Sequence, residues 1–236
     1  MNEWQRIERR LQEALSLPRR PVAVAFRDEP PAGVPKFTGT EPSGCSFWRL
    51  AAEGRAFYTV PADHANCAIG SHTHNIPLPP ERGHELEQTL SFMTGIGYIR
   101  MEEVAGIPQL PRTPGAVVYA PLGDMPVEPD VVLFAGRPGK IMLLHEAATR
   151  AGTAARLPLL GRPTCMALPA ALTSGVVLSA GCIGNRVYTD VGEDELYVAI
   201  PAKDLSRIAG EIDGIVAANE RLFEYHSARR REFATE

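Results

Sequence analysis

The 236 residues suffice for one large domain or two small ones, and apolar residues make up 44% of them, so a sizeable core is available. The net charge of -4 and the pI near 5.9 lack the basic footprint of a nucleic-acid-binding protein. No apolar run approaches the ~20 residues of a membrane span, and the N-terminal residues do not form a signal peptide. We therefore expect a cytoplasmic protein without nucleic-acid or membrane partners, in which cysteines stay reduced unless they bind metal or perform redox work.

Apolar spacing and turn residues divide the first half of the chain into short elements. Residues 3–16 carry apolar side chains at helical spacing with charges between them, which predicts an amphipathic helix that stops before Pro18. A loop rich in His and Pro follows over residues 64–80. In chain order we predict a helix at 3–16, a strand at 21–26, a helix at 46–53, a strand at 56–60 and a helix at 81–93.

The second half shows a similar succession and closes on a long helix. Apolar residues at helical spacing continue from Lys203 to about Phe233, which predicts a C-terminal helix. Before it we predict strands at 116–120 and 130–135, a helix at 139–150, a helix that opens at Thr164-Cys165 and ends at Gly175, and strands at 176–179 and 196–200.

Both halves contain the same weak internal repeat. Each runs from an apolar strand to a cysteine at a helix start, a helix ended by glycine, a second strand, and a glycine-containing turn with another cysteine. We predict an α/β fold, with α+β as the alternative, in a single domain over 1–236. Two similar interlocked lobes would cover 17–100 and 115–201. Chance recurrence of common residues is the competing explanation.

The four cysteines all fall in this repeated context. Cys45 and Cys165 lie at predicted helix starts, where free N–H groups lower the pKa of a thiol and favour the thiolate. Ser43 and Thr164 are suitable N-caps for these helices. Cys67 and Cys182 lie on glycine-containing turns after strands, where backbone N–H groups are free to donate to sulfur.

One pair of cysteines from each lobe would complete a four-thiolate metal site. The spacings are Cys45-x21-Cys67 and Cys165-x16-Cys182, and neither is the CxxC signature of a zinc finger or a ferredoxin. We predict zinc or an iron–sulfur cluster, and prefer the cluster because glycine-flanked N–H groups suit its sulfurs. The alternative is that the cysteines pack as small hydrophobic residues.

Three histidines lie close to Cys67 in sequence. His64 is placed to orient or deprotonate Cys67, and Asp63 to hold the imidazole ring. His72 and His74 would point the same way in an extended segment, where they are candidate ligands of a transition metal. In a metal-free enzyme Cys67 or Cys182 would be the nucleophile and His64 the base. A polar surface loop is the other interpretation of this segment.

The turn around Cys182 is also a candidate cofactor-binding segment. Gly184, Asn185 and Arg186 follow the cysteine, and the turn can wrap an anion with Arg186 as the countercharge. The lysine and the hydroxyl residue of a P-loop are missing, and so is the GxGxxG spacing. The motif therefore points to an anionic group without identifying a nucleotide.

Several of these motifs together resemble a known prokaryotic family over roughly residues 5–225. The family is domain of unknown function 169, common in archaea and anaerobic bacteria. The resemblance implies no reaction, but the anaerobic distribution favours iron–sulfur chemistry. The motifs are Pro21-Val22-Ala23-Val24, Cys45-Ser46-Phe47-Trp48, Asn66-Cys67-Ala68-Ile69-Gly70, Pro163-Thr164-Cys165, Gly181-Cys182-Ile183-Gly184-Asn185-Arg186 and Ala199-Ile200-Pro201.

Three functions follow as alternatives. The first is a metal- or iron–sulfur-binding protein that uses Cys45, Cys67, Cys165 and Cys182 in redox or sulfur chemistry on a small molecule held between the lobes. The second is a metal-free cysteine-dependent enzyme. The third is a non-catalytic module that binds a small molecule. A homodimer is compatible with each of them.

Overall fold

A computed structural model describes residues 1–154 and 159–233. The helices of these residues are α1 (Glu3–Leu15), α2 (Ser46–Ala52), α3 (Ala68–Thr73), α4 (Glu85–Gly95), α5 (Met101–Val104), α6 (Pro138–Arg150), α7 (Ala167–Ser174), α8 (Ile183–Thr189) and α9 (Ala202–Glu232). The strands are β1 (Val22–Arg27), β2 (Phe57–Thr59), β3 (Ala116–Pro121), β4 (Val131–Gly136), β5 (Val177–Ser179) and β6 (Leu196–Pro201). None of these helices is long and apolar enough to cross a membrane.

The strands form one antiparallel sheet in the order β2-β3-β1-β4-β6-β5. The two halves of this order are equivalent. Strands β1 and β4 meet at the centre, where Ala23 lies opposite Val132, and each pairs outward with β3 or β6 over six residues. The short strands β2 and β5 form the two edges. The predicted α/β class is confirmed, in the α+β variant that antiparallel pairing defines.

Side chains alternate along the strands, so the sheet has two buried faces. Ala23, Val132 and Phe134 face a layer made by α1, α6 and α9. Val24 and Leu133 face the opposite layer, which we call the cysteine face. It consists of α2, α3, α7, α8 and the 3₁₀ turn Thr164–Met166, together with the sheet residues packed against them. All four cysteines lie on this face or at its margin.

The predicted long helix and the strands lie close to their predicted positions, but short helices were missed. The loop predicted over 64–80 contains α3, and the turn after Cys182 begins α8. Each has only six or seven residues and contains an internal glycine, Gly70 or Gly184, which disfavours a helix. Packing against the rest of the molecule forms helices that intrinsic propensity alone does not predict.

Candidate functional site

Each of the four cysteines lies directly before a helix or in the turn that leads into one. Cys45 precedes α2, and Cys165 lies in the turn Thr164–Met166 before α7. Cys67 precedes α3 and Cys182 precedes α8. The helix starts predicted for Cys45 and Cys165 are present, while the turns predicted for Cys67 and Cys182 are helix starts as well. The four thiols therefore share one structural context.

Two hydroxyl groups organise the backbone around the cysteines. The hydroxyl oxygen of Ser43 accepts the N–H of Cys45 at 3.3 Å and lies 3.6 Å from the sulfur of Cys67. The hydroxyl oxygen of Thr164 accepts the N–H of Cys182 at 2.5 Å. Thr164 was predicted to cap its own helix; instead it fixes the start of α8, which lies 18 residues further along the chain.

Cys45 and Cys165 are neutral thiols, contrary to the prediction that helix starts lower their pKa values. Burial, followed by the charge of Cys67, raises the pKa of Cys45 to about 12. Burial also raises the pKa of Cys165 well above its ordinary value, and the charges of Cys45 and Cys67 add to this effect. Both residues are only 6% exposed, so the loss of hydration outweighs the stabilisation that a first helical turn gives a thiolate.

Cys67 differs from the two buried thiols in exposure and in hydrogen bonding. Its side chain is partly exposed, and its sulfur accepts the N–H of Gly70 at 3.2 Å. A Cβ atom at position 70 would lie 2.9 Å from that sulfur, so glycine is what allows the close approach. Cys182 is also partly exposed, but the hydrogen bonds of the described residues include none to its sulfur.

The donor set suits a soft metal ion, whereas its arrangement does not. Cys67 and Cys182 both raise the pKa values of Cys45 and Cys165, so the four side chains lie within electrostatic range of one another. Within residues 1–154 and 159–233, however, no group of three or more His, Cys, Asp or Glu side chains could hold a metal ion. The four-thiolate centre therefore stays a prediction, and we derive no chemical step through a metal.

His64 lies in the site and is held differently from the prediction. Its side chain is 1% exposed, and its Nε2 lies 2.8 Å from the hydroxyl of Thr59. Asp63 does not hold the imidazole, because its carboxylate accepts the N–H of Val60 at 2.8 Å. Burial, together with the nearby His74, lowers the pKa of His64 to about 3, so the ring is neutral at pH 7.

His72 and His74 do not form the predicted pair of metal ligands. They belong to α3 and its last turn, where residues two apart point in different directions. His72 is half-buried and lies 2.8 Å from the side-chain amide of Gln109. His74 is buried, and its Nδ1 lies 2.8 Å from the carbonyl oxygen of Gly70.

The predicted anion-binding turn uses its arginine to hold its own backbone. The guanidinium of Arg186 donates to the carbonyls of Ala180, Gly192 and Glu195, the last at 3.0 Å. Three of its five N–H donors are therefore taken by backbone carbonyls, and its role as a countercharge to an anion stays a prediction. Gly184 lies inside α8, with only the ring of Tyr188 near the place of a Cβ atom.

Asn185, the third residue of that predicted segment, faces the thiols. It is 1% exposed, and weak hydrogen bonding from its side chain partly offsets the rise that burial causes in the pKa of Cys45 and of Tyr197. Neither atom of its amide has a partner at normal hydrogen-bond distance and angle in the described structure. A buried amide without partners marks a place where a further polar group would be favourable.

Sequence reasoning missed three side chains of the site. The hydroxyl of Tyr119 and the indole N–H of Trp48 are buried without partners, and Thr59 holds His64. Burial raises the pKa of Tyr119, and the charges of Cys45, Cys165 and Cys67 add to it, which places this hydroxyl among the thiols. Tyr119 and Thr59 lie in apolar strands, and no sequence signal distinguishes them from core residues.

The comparisons with known proteins identify the family. The DUF169 family, described as "Uncharacterised ArCR", matches residues 10–211. The chain belongs to this family. It is also 25% identical over 225 residues to the uncharacterised protein MJ0308 of Methanocaldococcus jannaschii, a match that covers 90% of this chain and 95% of the relative. No solved structure matches the chain.

Proposed function

We propose that the protein is a cysteine-dependent enzyme of the cytoplasm, with Cys67 as the nucleophile toward a small molecule. One observation carries this proposal: Cys67 alone combines partial exposure with a backbone N–H donor to its sulfur, at 3.2 Å. A hydrogen bond to sulfur stabilises the thiolate, which is the form that attacks electrophiles. A cytoplasmic setting agrees with four free cysteines.

The other cysteines have different roles in this proposal. Cys45 and Cys165, which are neutral and buried, shape the site and do not attack. Cys182 is the second candidate nucleophile, because it is also partly exposed. In the reacting step the sulfur of Cys67 loses its proton to solvent, and its electron pair forms a bond to a carbonyl carbon of the small molecule. The π electron pair of the C=O bond moves onto the oxygen, which takes up a proton from solvent.

His64 fits the role of a neutral hydrogen-bond acceptor better than that of a base that stays protonated after it deprotonates Cys67. Its pKa of about 3 means that a stable pair of thiolate and imidazolium would not persist at pH 7. Its Nδ1 has no partner, and a Cβ atom on the neighbouring Gly44 would lie 3.8 Å from this nitrogen. His64 can therefore accept a hydrogen bond from a bound molecule, or a proton during a short step.

Selective alkylation tests the proposal. Metal-free, reduced protein is treated with a low concentration of iodoacetamide at pH 7, and each cysteine is quantified by peptide mass spectrometry. We expect Cys67 to react first and Cys45 and Cys165 to react only after denaturation. The Cys67→Ser variant should lose the fast phase, whereas its match Cys182→Ser should keep it. Equal, slow labelling of all four cysteines would contradict the proposal.

A four-thiolate centre of zinc or iron and sulfur is the second candidate function. The other cysteines add to the raised pKa values of Cys45 and Cys165, which indicates that the four sulfurs lie near one another. A bound metal ion would favour the thiolate form of all four and offset the repulsion between them. The side chains would have to move together to bind the ion. Its test is anaerobic purification followed by analysis of iron, zinc and acid-labile sulfide. Retention of metal by each of the four single Cys→Ala variants would exclude a shared centre.

The remaining alternatives also have distinct outcomes. Metal-free protein in which no cysteine reacts, but which is stabilised by a small molecule, would favour the non-catalytic binding module. The homodimer stays a prediction, for which α9 offers the exposed side chains of Leu222, Phe223 and Tyr225.

A further inference from the structure

His74 is a buried histidine whose tautomer the structure fixes. Its Nδ1 lies 2.8 Å from the carbonyl oxygen of Gly70, which can only accept, so Nδ1 carries the proton. The hydroxyl of Thr73 donates to the same carbonyl at 2.9 Å and lies 3.2 Å from Nδ1, where its oxygen accepts as well. The lone pair is therefore on Nε2, which is buried and has no partner in the described structure.

His64 has the opposite tautomer, and it too has one ring nitrogen without a hydrogen-bond partner. The hydroxyl of Thr59 donates to the carbonyl oxygen of Val117 at 3.3 Å, so its oxygen is left to accept from His64 Nε2 at 2.8 Å. The proton then lies on Nε2 and the lone pair on Nδ1, which is buried and unpartnered. Burial lowers the pKa of both histidines, so neither ring is charged at pH 7.

The two histidine rings are neighbours, and each also lies beside aromatic side chains. The ring centroids of His64 and His74 lie 5.7 Å apart. Phe47 lies 5.1 Å from His64, and Phe26 lies 5.7 Å from His74. Tyr119, with its unpartnered hydroxyl, lies 6.5 Å from His64. The site thus presents two hydrogen-bond acceptors among rings, a setting that leaves a donor group well paired and an apolar group well packed.

We propose that His64 and His74 form the binding site of a small neutral molecule that presents N–H or O–H donors, such as a primary amide. An anion would meet two lone pairs and be repelled. An organic cation would lose its hydration, and the two neutral rings carry no negative charge to compensate. A neutral donor satisfies both nitrogens without transferring charge into the core. The assignment of this molecule as the substrate of Cys67 rests on the proposed function; the site itself does not.

Nitrogen NMR of the full chain tests the inference. With ¹⁵N-histidine, long-range proton–nitrogen spectra should show a protonated Nε2 in His64 and a protonated Nδ1 in His74. Acetamide should shift the unprotonated nitrogens of both residues toward the shielded, hydrogen-bonded position in a saturable manner. N,N-dimethylacetamide, which is similar in shape but has no N–H, should produce no such shift. The exposed His226 is the internal control.

Two variants make the result specific. Thr59→Val removes the acceptor for His64 Nε2, so the His64 tautomer should become mixed while that of His74 is unchanged. His74→Phe should abolish the saturable response of His64 or weaken it at least tenfold in concentration. Equal shifts with both amides, or the opposite tautomer in either histidine, would overturn the inference.

The outcomes separate this inference from the proposed function. Saturable shifts with acetamide in a protein whose four cysteines label equally would retain the histidine site and discard Cys67 as the nucleophile. Fast labelling of Cys67 in a protein that does not distinguish the two amides would retain Cys67 as the nucleophile and discard the histidine site.

Discussion

The two faces of the sheet are both closely packed, but they treat polar groups differently. On the face covered by α1, α6 and α9, the buried carboxylate of Glu8 is paired with Arg20 at 2.6 Å and also accepts the N–H of Gly123. On the cysteine face polar atoms are buried without partners. All such side-chain atoms in the described structure belong to Trp48, His64, His74, Tyr119 and Asn185.

This difference indicates where function opposes stability. A buried polar atom without a partner costs about 1–3 kcal/mol, and folded proteins keep few of them. Their concentration on one face, beside four thiols, is what a site for a polar ligand requires. The opposite face has the ordinary properties of a core, so its substitutions should behave as core substitutions do. Substitutions on the two faces should therefore differ in the size and in the sign of their effects.

Truncation on the α1, α6 and α9 face should cause the largest loss of stability. Leu144 on α6 is completely buried. Leu144→Ala should therefore lower the free energy of unfolding by about 2–5 kcal/mol, since it removes apolar contacts and leaves a cavity. Urea denaturation measures the change. Met142→Ala, at an exposed position of the same helix, should change stability by no more than about 0.5 kcal/mol.

Sequence patterns predicted those features of the two faces that depend on local periodicity, namely the helices and strands. The apolar spacing of α1 and α9 and the runs of β1, β3 and β4 predicted elements close to those observed. The recurring cysteines lie on one face of the sheet or at its margin. The chemical state of that face could not be predicted. The raised pKa of Cys45 depends on burial within the apolar cluster of the cysteine face, which is a consequence of tertiary packing and not of sequence spacing.

The same limit applies to the side chains that hold the histidines. Asp63 is the obvious partner of His64 in sequence, yet Thr59 contacts the ring and Asp63 caps a neighbouring turn. Arg186 is the obvious countercharge, yet it binds backbone carbonyls. A residue type indicates which contacts are feasible, but the fold selects among them.

Acidification should destabilise the protein through the cysteine face. The pKa of His64 is about 3 in the folded protein and 6.5 is its ordinary value, so below pH 6.5 the unfolded chain binds a proton that the folded chain does not. The contribution of neutral His64 to the free energy of unfolding is complete above pH 6.5, and it is lost as the pH falls toward 3. The slope should reach about 1.4 kcal/mol per pH unit for this group.

The pH dependence of His64→Phe checks this assignment. Urea denaturation at several values between pH 7 and pH 4 should give a shallower loss of stability for the variant than for the parent protein. The comparison of slopes cancels any loss of stability that the substitution causes at all pH values. His226→Phe, at an exposed position, should leave the slope unchanged. An equal slope in His64→Phe would show that other groups produce the acid response.

Replacement of an unpartnered polar side chain should cause a small gain in stability, in contrast to the losses expected above. Asn185→Leu keeps the number of heavy atoms and the branching at Cγ, and it removes two buried polar atoms that lack partners at normal hydrogen-bond geometry. We therefore expect the protein to gain about 1 kcal/mol in stability. The same substitution at Asn2, whose side chain accepts the N–H of Gln5 at 2.8 Å as the cap of α1, should lose about 1 kcal/mol. Thermal denaturation of the two variants compares these signs directly.

If Asn185→Leu is as destabilising as Asn2→Leu, the Asn185 amide has hydrogen-bond partners in solution, and the contrast between the faces is weaker than the structure indicates. If it is stabilising, Asn185 is retained for what it binds, because folding alone would favour its replacement.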